Sequence, residues 1–167
     1  MNKIKLTSKE KVYSITCIFL IIDQIVKLLI KSKMDLFSEI IIIPNFFSIY
    51  YVQNEGAAFS ILKNQTIFLI LIGIVCIFLI DKYLTKENIK DKLSRISLGI
   101  LMGGIFGNLI DRILYGGVID YLSFTIFKYN FPVFNIADIG ITIGIILLII
   151  SLIIEECKNK KAHNKNH

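Results

Sequence analysis

Apolar residues run along this chain in four long blocks, and none of the blocks alternates between apolar and polar positions. They are KVYSITCIFLIIDQIVKLLI from residue 11, QTIFLILIGIVCIFLI from 65, RISLGILMGGIFGNLIDRIL from 95 and ADIGITIGIILLIISLII from 137. A bilayer core takes roughly 20 helical residues to cross, and each block comes near that length. Backbone polar groups in lipid must be satisfied within helices or a closed barrel. The missing period of two excludes the barrel. The pattern therefore predicts transmembrane helices over about 11–32, 65–84, 95–115 and 137–156. The first block follows a basic stretch, as a secretion signal would. Asp23 and Lys27 interrupt it, however, and no small-x-small cleavage site follows, so it reads as a retained helix.

Two connections are more than linkers. SEIIIIPNFFSIYYVQNEGAAFSILKN, 38–64, holds two stretches of strand composition, IIII and FFSIYYV, around a Pro-Asn turn. LYGGVIDYLSFTIFKYNFPVF, 114–134, is similar and opens on a Gly-Gly break that ends the third helix. The expected fold is an integral membrane protein, mainly α. It is a four-transmembrane-helix bundle with a small extracytoplasmic β region at about 38–64 and a surface loop or helix, a single domain over 1–167.

Composition strengthens this reading. The chain is 54% apolar and 19% charged, with a mean hydropathy of +0.68, more apolar than soluble domains. The net charge of +6 is carried by clusters between the apolar blocks. That placement suits anionic lipid headgroups and argues against nucleic acid. Lys3, Lys5, Lys9 and Lys11 stand on one predicted side with Lys82, Lys86, Lys90, Lys92 and Arg95, and with Lys158, Lys160, Lys161 and Lys165. Fewer cations, Lys31, Lys33, Lys63, Arg112 and Lys128, stand on the other. Both termini and the middle link are thus expected in the cytoplasm, with the two β-rich connections outside. Cys17, Cys76 and Cys157 are odd in number and form no CxxC. They read as small apolar fillers, not as a disulfide framework or metal site.

Charges inside apolar blocks are costly, so each needs a partner or a role. Asp23 and Lys27 lie four apart on one helix face and can pair. In GGIFGNLIDR, Asn108 shares a face with Asp111 and with Arg112, a polar seam suited to supporting a nearby site. Asp120, in GGVIDYL, and Asp138, which opens the fourth helix, stand on opposite arms of one external connection near the outer boundary. Brought together, two carboxylates cannot both ionise cheaply, and the pair holds one proton. One can then take a proton from an attacking water while the other polarises a carbonyl. Spacing alone also allows plainer roles: Asp138 as a first-turn helix residue, Asp120 as a turn residue, and Asn54 in an Asx-turn.

VQNEGAAFS at 52–60, GGIFGNLIDR at 103–112, GGVIDYL at 116–122 and FNIADIGITIG at 134–144 resemble the motifs of the bacterial lipoprotein signal peptidases, or type II signal peptidases. IIDQIVK at 21–27 resembles their first-helix motif. Phe106 and Tyr121 are bulkier variants of the pattern. The resemblance implies a membrane aspartic endopeptidase with a four-helix bundle and an external β-cradle. Such an enzyme removes the signal peptide from diacylglyceryl-modified prolipoproteins, cutting immediately before the lipidated cysteine. It implies Asp120 and Asp138 as the catalytic pair. Asn54, Gly56, Asn108, Asp111, Arg112 and Asn135 would support the site or bind substrate, with Asp23 and Lys27 further off. It further implies no metal or other cofactor, since water is the nucleophile. The partners would be prolipoproteins and membrane lipids, with no nucleic acid and no obligate protein partner. The enzyme would be a monomer, multi-pass in the bacterial cytoplasmic (inner) membrane, with its active site at the outer face. The competing reading is a small proton-coupled transporter or channel using Asp23, Asp111 and Asp138. A noncatalytic membrane scaffold is a third.

Overall fold

The computed structural model describes residues 6–56, 65–86, 89 and 91–164. Its elements follow in chain order as α1 (Ser8–Lys33), β1 (Glu39–Ile43), β2 (Phe47–Asn54), α2 (Thr66–Lys86), α3 (Lys92–Tyr115), β3 (Val118–Ile126), β4 (Tyr129–Asn130) and α4 (Ile136–Asn164). Part of the expected external region, 57–64, lies outside the described residues, as do Lys3, Lys5, Lys63, Lys90 and Lys165. All four helices are long and apolar enough to cross a membrane. Helix α1 starts three residues earlier than its apolar run because a capping box fixes it. The Glu10 amide donates to Thr7 Oγ1 at 3.2 Å, and the Thr7 amide to Glu10 Oε2 at 2.6 Å.

Helix α3 is the axis of the bundle. Over its spanning window 56% of residues are buried, against 17% for α1, 6% for α2 and 22% for α4. Its small residues explain this position. A Cβ on Gly104 would stand 2.5 Å from the Ala137 carbonyl, and one on Gly107 would overlap Asp23 Oδ2. The glycines therefore let α4 and α1 approach the α3 backbone directly. The outward faces stay apolar, with Ile18, Ile67 and Phe78 exposed, as suits a lipid solvent. Gly116, at φ 76°, ends α3 in the left-handed region.

The four strands form one antiparallel sheet in the order β1-β2-β3-β4. It lies at the end of the bundle where α1 and α3 stop and α2 and α4 begin. The α1–α2 and α3–α4 connections thus build a single sheet rather than separate pieces. β2 pairs with β3 in the register Val52↔Asp120, Gln53↔Ile119 and Asn54↔Val118. Period-two alternation sends Ile119 and Tyr121 into a buried cluster with Met34 and Tyr51. Asp120 consequently faces the other way. Beyond the β4 hairpin, Phe134 returns to β3. Its amide donates to the Leu122 carbonyl at 3.1 Å, and its carbonyl accepts from the Leu122 amide at 2.8 Å. That bridge sets the start of α4 beside β3.

Candidate active site

Asp120 is a strand residue, 2% exposed, and Asp138 sits in the first turn of α4. Asn135 joins them. Its side-chain amide donates to Asp120 Oδ1 at 2.6 Å, while its backbone amide donates to Asp138 Oδ2 at 3.2 Å. Its Oδ1 accepts the Asp138 amide at 2.9 Å, so the same residue caps the helix reciprocally. The remaining carboxylate oxygens also have amide donors. Asn54 Nδ2 reaches Asp120 Oδ2 at 3.0 Å, and Asn108 Nδ2 reaches Asp138 Oδ1 at 2.7 Å. Asn54 and Asp120 meet because they are diagonal neighbours on one face of the β2–β3 pair. Asn54 Oδ1 accepts the Gly56 amide at 2.9 Å, so the expected Asx-turn and the contact to Asp120 coexist in one side chain.

Burial pushes the Asp120 carboxyl up to about 7, and the adjacent Asp138 charge adds to the rise. The hydrogen bonds from Asn54 and Asn135 favour the anion and hold the rise in check. A carboxyl so placed carries a proton over part of the neutral range.

Both acids line a cavity of about 630 Å³. Its polar lining includes Asn54, Asn108, Arg112 and Thr142, and Leu69, Ile72 and Ile139 are among its apolar walls. Arg112 makes no ion pair among the described residues. Its guanidinium donates instead to the carbonyls of Asn108 at 3.2 Å and Gly56 at 3.0 Å. Its Nε is buried without a partner there.

Behind the acids lies a second charged group. Lys27, 1% exposed, does not snorkel. Its ammonium lies 2.9 Å from Asp23 Oδ2 and 2.8 Å from Asp111 Oδ2, and donates to Asn108 Oδ1 at 3.0 Å. Asp23 and Lys27 stand one step back from the acids, and Lys27 reaches Asp138 through the single side chain of Asn108. Gln24, which sequence reasoning passed over, donates to Asp111 Oδ1 at 3.0 Å and to the Gly107 carbonyl at 3.3 Å. Its signal was present in the sequence as one more polar side chain inside an apolar run. Tyr121 was also passed over as a contact; its hydroxyl accepts the Ile136 amide at 3.4 Å. Asp23, Asp111, Asp120 and Asp138 gather in one hydrogen-bonded cluster, not the dispersed lane a proton path requires. The described residues hold no cluster of His, Cys, Asp and Glu suited to a metal ion.

Comparison with known proteins shows the family. The family model described as signal peptidase (SPase) II matches residues 15–154. The lipoprotein signal peptidase of Symbiobacterium thermophilum is 44% identical over 138 residues, covering 83% of this chain and 91% of that protein. A bacterial membrane enzyme solved by the in meso method at 2.3 Å is similar, with a TM-score of 0.81 and 35% identity over 89% of this chain and 90% of its own. A second, at 1.9 Å, gives a TM-score of 0.75 and 35% identity over 84% and 91%. With a family match across most of its length and a 44% identical relative covered over 91% of its own, the chain belongs to the signal peptidase II family.

Proposed function

We propose that this membrane protease is an aspartic endopeptidase that removes signal peptides from diacylglyceryl-modified prolipoproteins, cutting immediately before the lipidated cysteine. One observation carries the aspartic assignment. A single asparagine bonds both carboxylates at the wall of a largely apolar cavity. With the Asp120 carboxyl raised to about 7 beside Asp138, the pair keeps one shared proton near neutrality. In the forward step the ionised member takes a proton from water as the water oxygen attacks the scissile carbonyl. The protonated member hydrogen-bonds the developing oxyanion. Collapse of the tetrahedral intermediate breaks the C–N bond, and the dyad returns a proton to the leaving nitrogen, which becomes the amine of the lipidated cysteine. Asn54, Asn108 and Asn135 aim the carboxylates. Arg112 ties the Gly56 carbonyl to α3 beside the cavity. The apolar walls from α2 and α4 offer a berth for acyl chains or the apolar signal segment.

The enzyme acts as a monomer in the bacterial cytoplasmic membrane, termini inward. The sheet and dyad then lie at the outer face, the leaflet in which the substrate's lipid anchor resides. Asp120→Asn and Asp138→Asn test the assignment. Each variant should remain folded and membrane-inserted, yet lose about 1000-fold or more in cleavage of a synthetic diacylglyceryl lipobox peptide. The same peptide without its lipid should be a poor substrate for the wild type. Near-normal cleavage by either variant removes the dyad, and efficient cleavage of the bare peptide removes the lipid requirement.

A further inference from the structure

Asp23, Gln24, Lys27 and Asp111 line no part of the cavity, and three of them are fully buried. One cation is enclosed with two carboxylates. Burying such a group is expensive, and an apolar replacement of similar volume is often neutral or stabilising. Its hydrogen bonds indicate what it does. The three short contacts of the Lys27 ammonium go to Asp23, Asp111 and Asn108. Each partner then passes the connection on to the dyad. Asp111 Oδ2 accepts the Ile119 amide at 3.1 Å, and Ile119 immediately precedes Asp120. Asp23 Oδ1 accepts the Ala137 amide at 2.9 Å, and Ala137 immediately precedes Asp138. Asn108 bonds the Asp138 carboxylate itself. Gln24 fixes the other oxygen of Asp111 and ties it to the α3 backbone at Gly107.

We propose that Lys27, Asp23, Asp111 and Gln24 form a positioning hub that sets the two acids through their backbones, gripping the peptide N–H before each one. The hub joins three independent elements, β3, α4 and α3, to one ammonium on α1. The separation and aim of Asp120 and Asp138 therefore depend on groups that never meet substrate. This inference rests on the assignment of Asp120 and Asp138 as the catalytic pair.

The discriminating variants are Asp111→Asn and Asp111→Leu. Both leave Lys27 balanced by Asp23, and they resemble each other in shape. Only the asparagine retains an oxygen for the Ile119 amide. The assay measures kcat and KM on the diacylglyceryl lipobox peptide, with thermal unfolding in detergent to confirm that each variant is folded. Displacement of a catalytic group by about 1 Å costs roughly 100-fold. Asp111→Leu should thus lower kcat about 100-fold with KM within about three-fold of wild type, and Asp111→Asn should recover at least about ten-fold of the loss. Asp23→Asn and Asp23→Leu repeat the comparison at the Ala137 amide and decide the matter if Asp111→Leu does not fold. Equal kcat for the Asn and Leu variants in folded protein, or a loss confined to KM, overturns the hub. An Asp120→Asn control separates the two ideas. If it cleaves normally, the dyad assignment fails. If it is inactive while folded Asp111→Leu matches wild type, only the hub fails.

Discussion

Asp120→Asn should change the pH dependence of stability as well as abolish cleavage. In the folded protein, burial and Asp138 raise the Asp120 carboxyl from 3.8 to about 7. Each tenfold gain in proton affinity is worth about 1.4 kcal/mol, so ionising this group weakens folding by about 4 kcal/mol. Below pH 3.8 both states keep the proton and nothing is lost. As pH rises above that value, the unfolded chain releases its proton first, and stability falls by about 1.4 kcal/mol for each further step of one in pH. Above the folded value of about 7 the loss is complete. Between about pH 5 and about pH 8.5 the wild type should therefore lose about 3 kcal/mol that Asp120→Asn does not, roughly 10 °C in Tm for a chain of this size. The new amide must turn an NH₂ toward Asn54 or Asn135, which offsets the variant's stability by a constant but leaves the slope unaffected. The assay is thermal unfolding of both proteins in one detergent at a series of pH values. Because the two acids titrate together, the difference between the curves reports the pair. Parallel curves would refute the reasoning, since Asp120 would then carry no elevated proton affinity in the folded state.

Other substitutions address the packing and the clamp around the dyad. Gly104→Ala places a methyl group 2.5 Å from the Ala137 carbonyl, and backbone cannot give way as a side chain can. It should lower stability by about 1–3 kcal/mol and reduce cleavage by shifting the first turn of α4; an unchanged Tm would contradict the close α3–α4 approach. Arg112→Leu removes the donor to the Gly56 carbonyl, a charge-assisted bond worth about 1.5–3 kcal/mol. It should lower kcat/KM about ten- to 100-fold, and Arg112→Lys should restore little, because an ammonium cannot reproduce a fork reaching two carbonyls. Wild-type kcat/KM in Arg112→Leu would remove the clamp.

The sequence by itself determined the helices, because lipid compatibility is a local property. An apolar run long enough to cross must be helical whatever surrounds it. The same physics flagged Asp23, Lys27, Asp111 and Asp138, since a charge in such a run must be compensated. The strands of the β1–β2 hairpin were legible from composition, and the Thr7–Glu10 capping box moved the start of α1 from its apolar boundary. The Asp23–Lys27 pair was legible from its spacing of four, and tertiary structure decided which charges met across elements. Lys27 pairs with Asp111 on α3 as well as with its own-helix neighbour Asp23, and Asp120 lies in β3, which pairs with β2 of the other connection. It also gave Asn135 two acids to hold, and gave Gln24 and the Ile119 and Ala137 amides their work. No pattern along the chain encodes such contacts. They arise when glycines on α3 let neighbouring backbones close to within one side chain's reach, and that distance exists only after the bundle has packed.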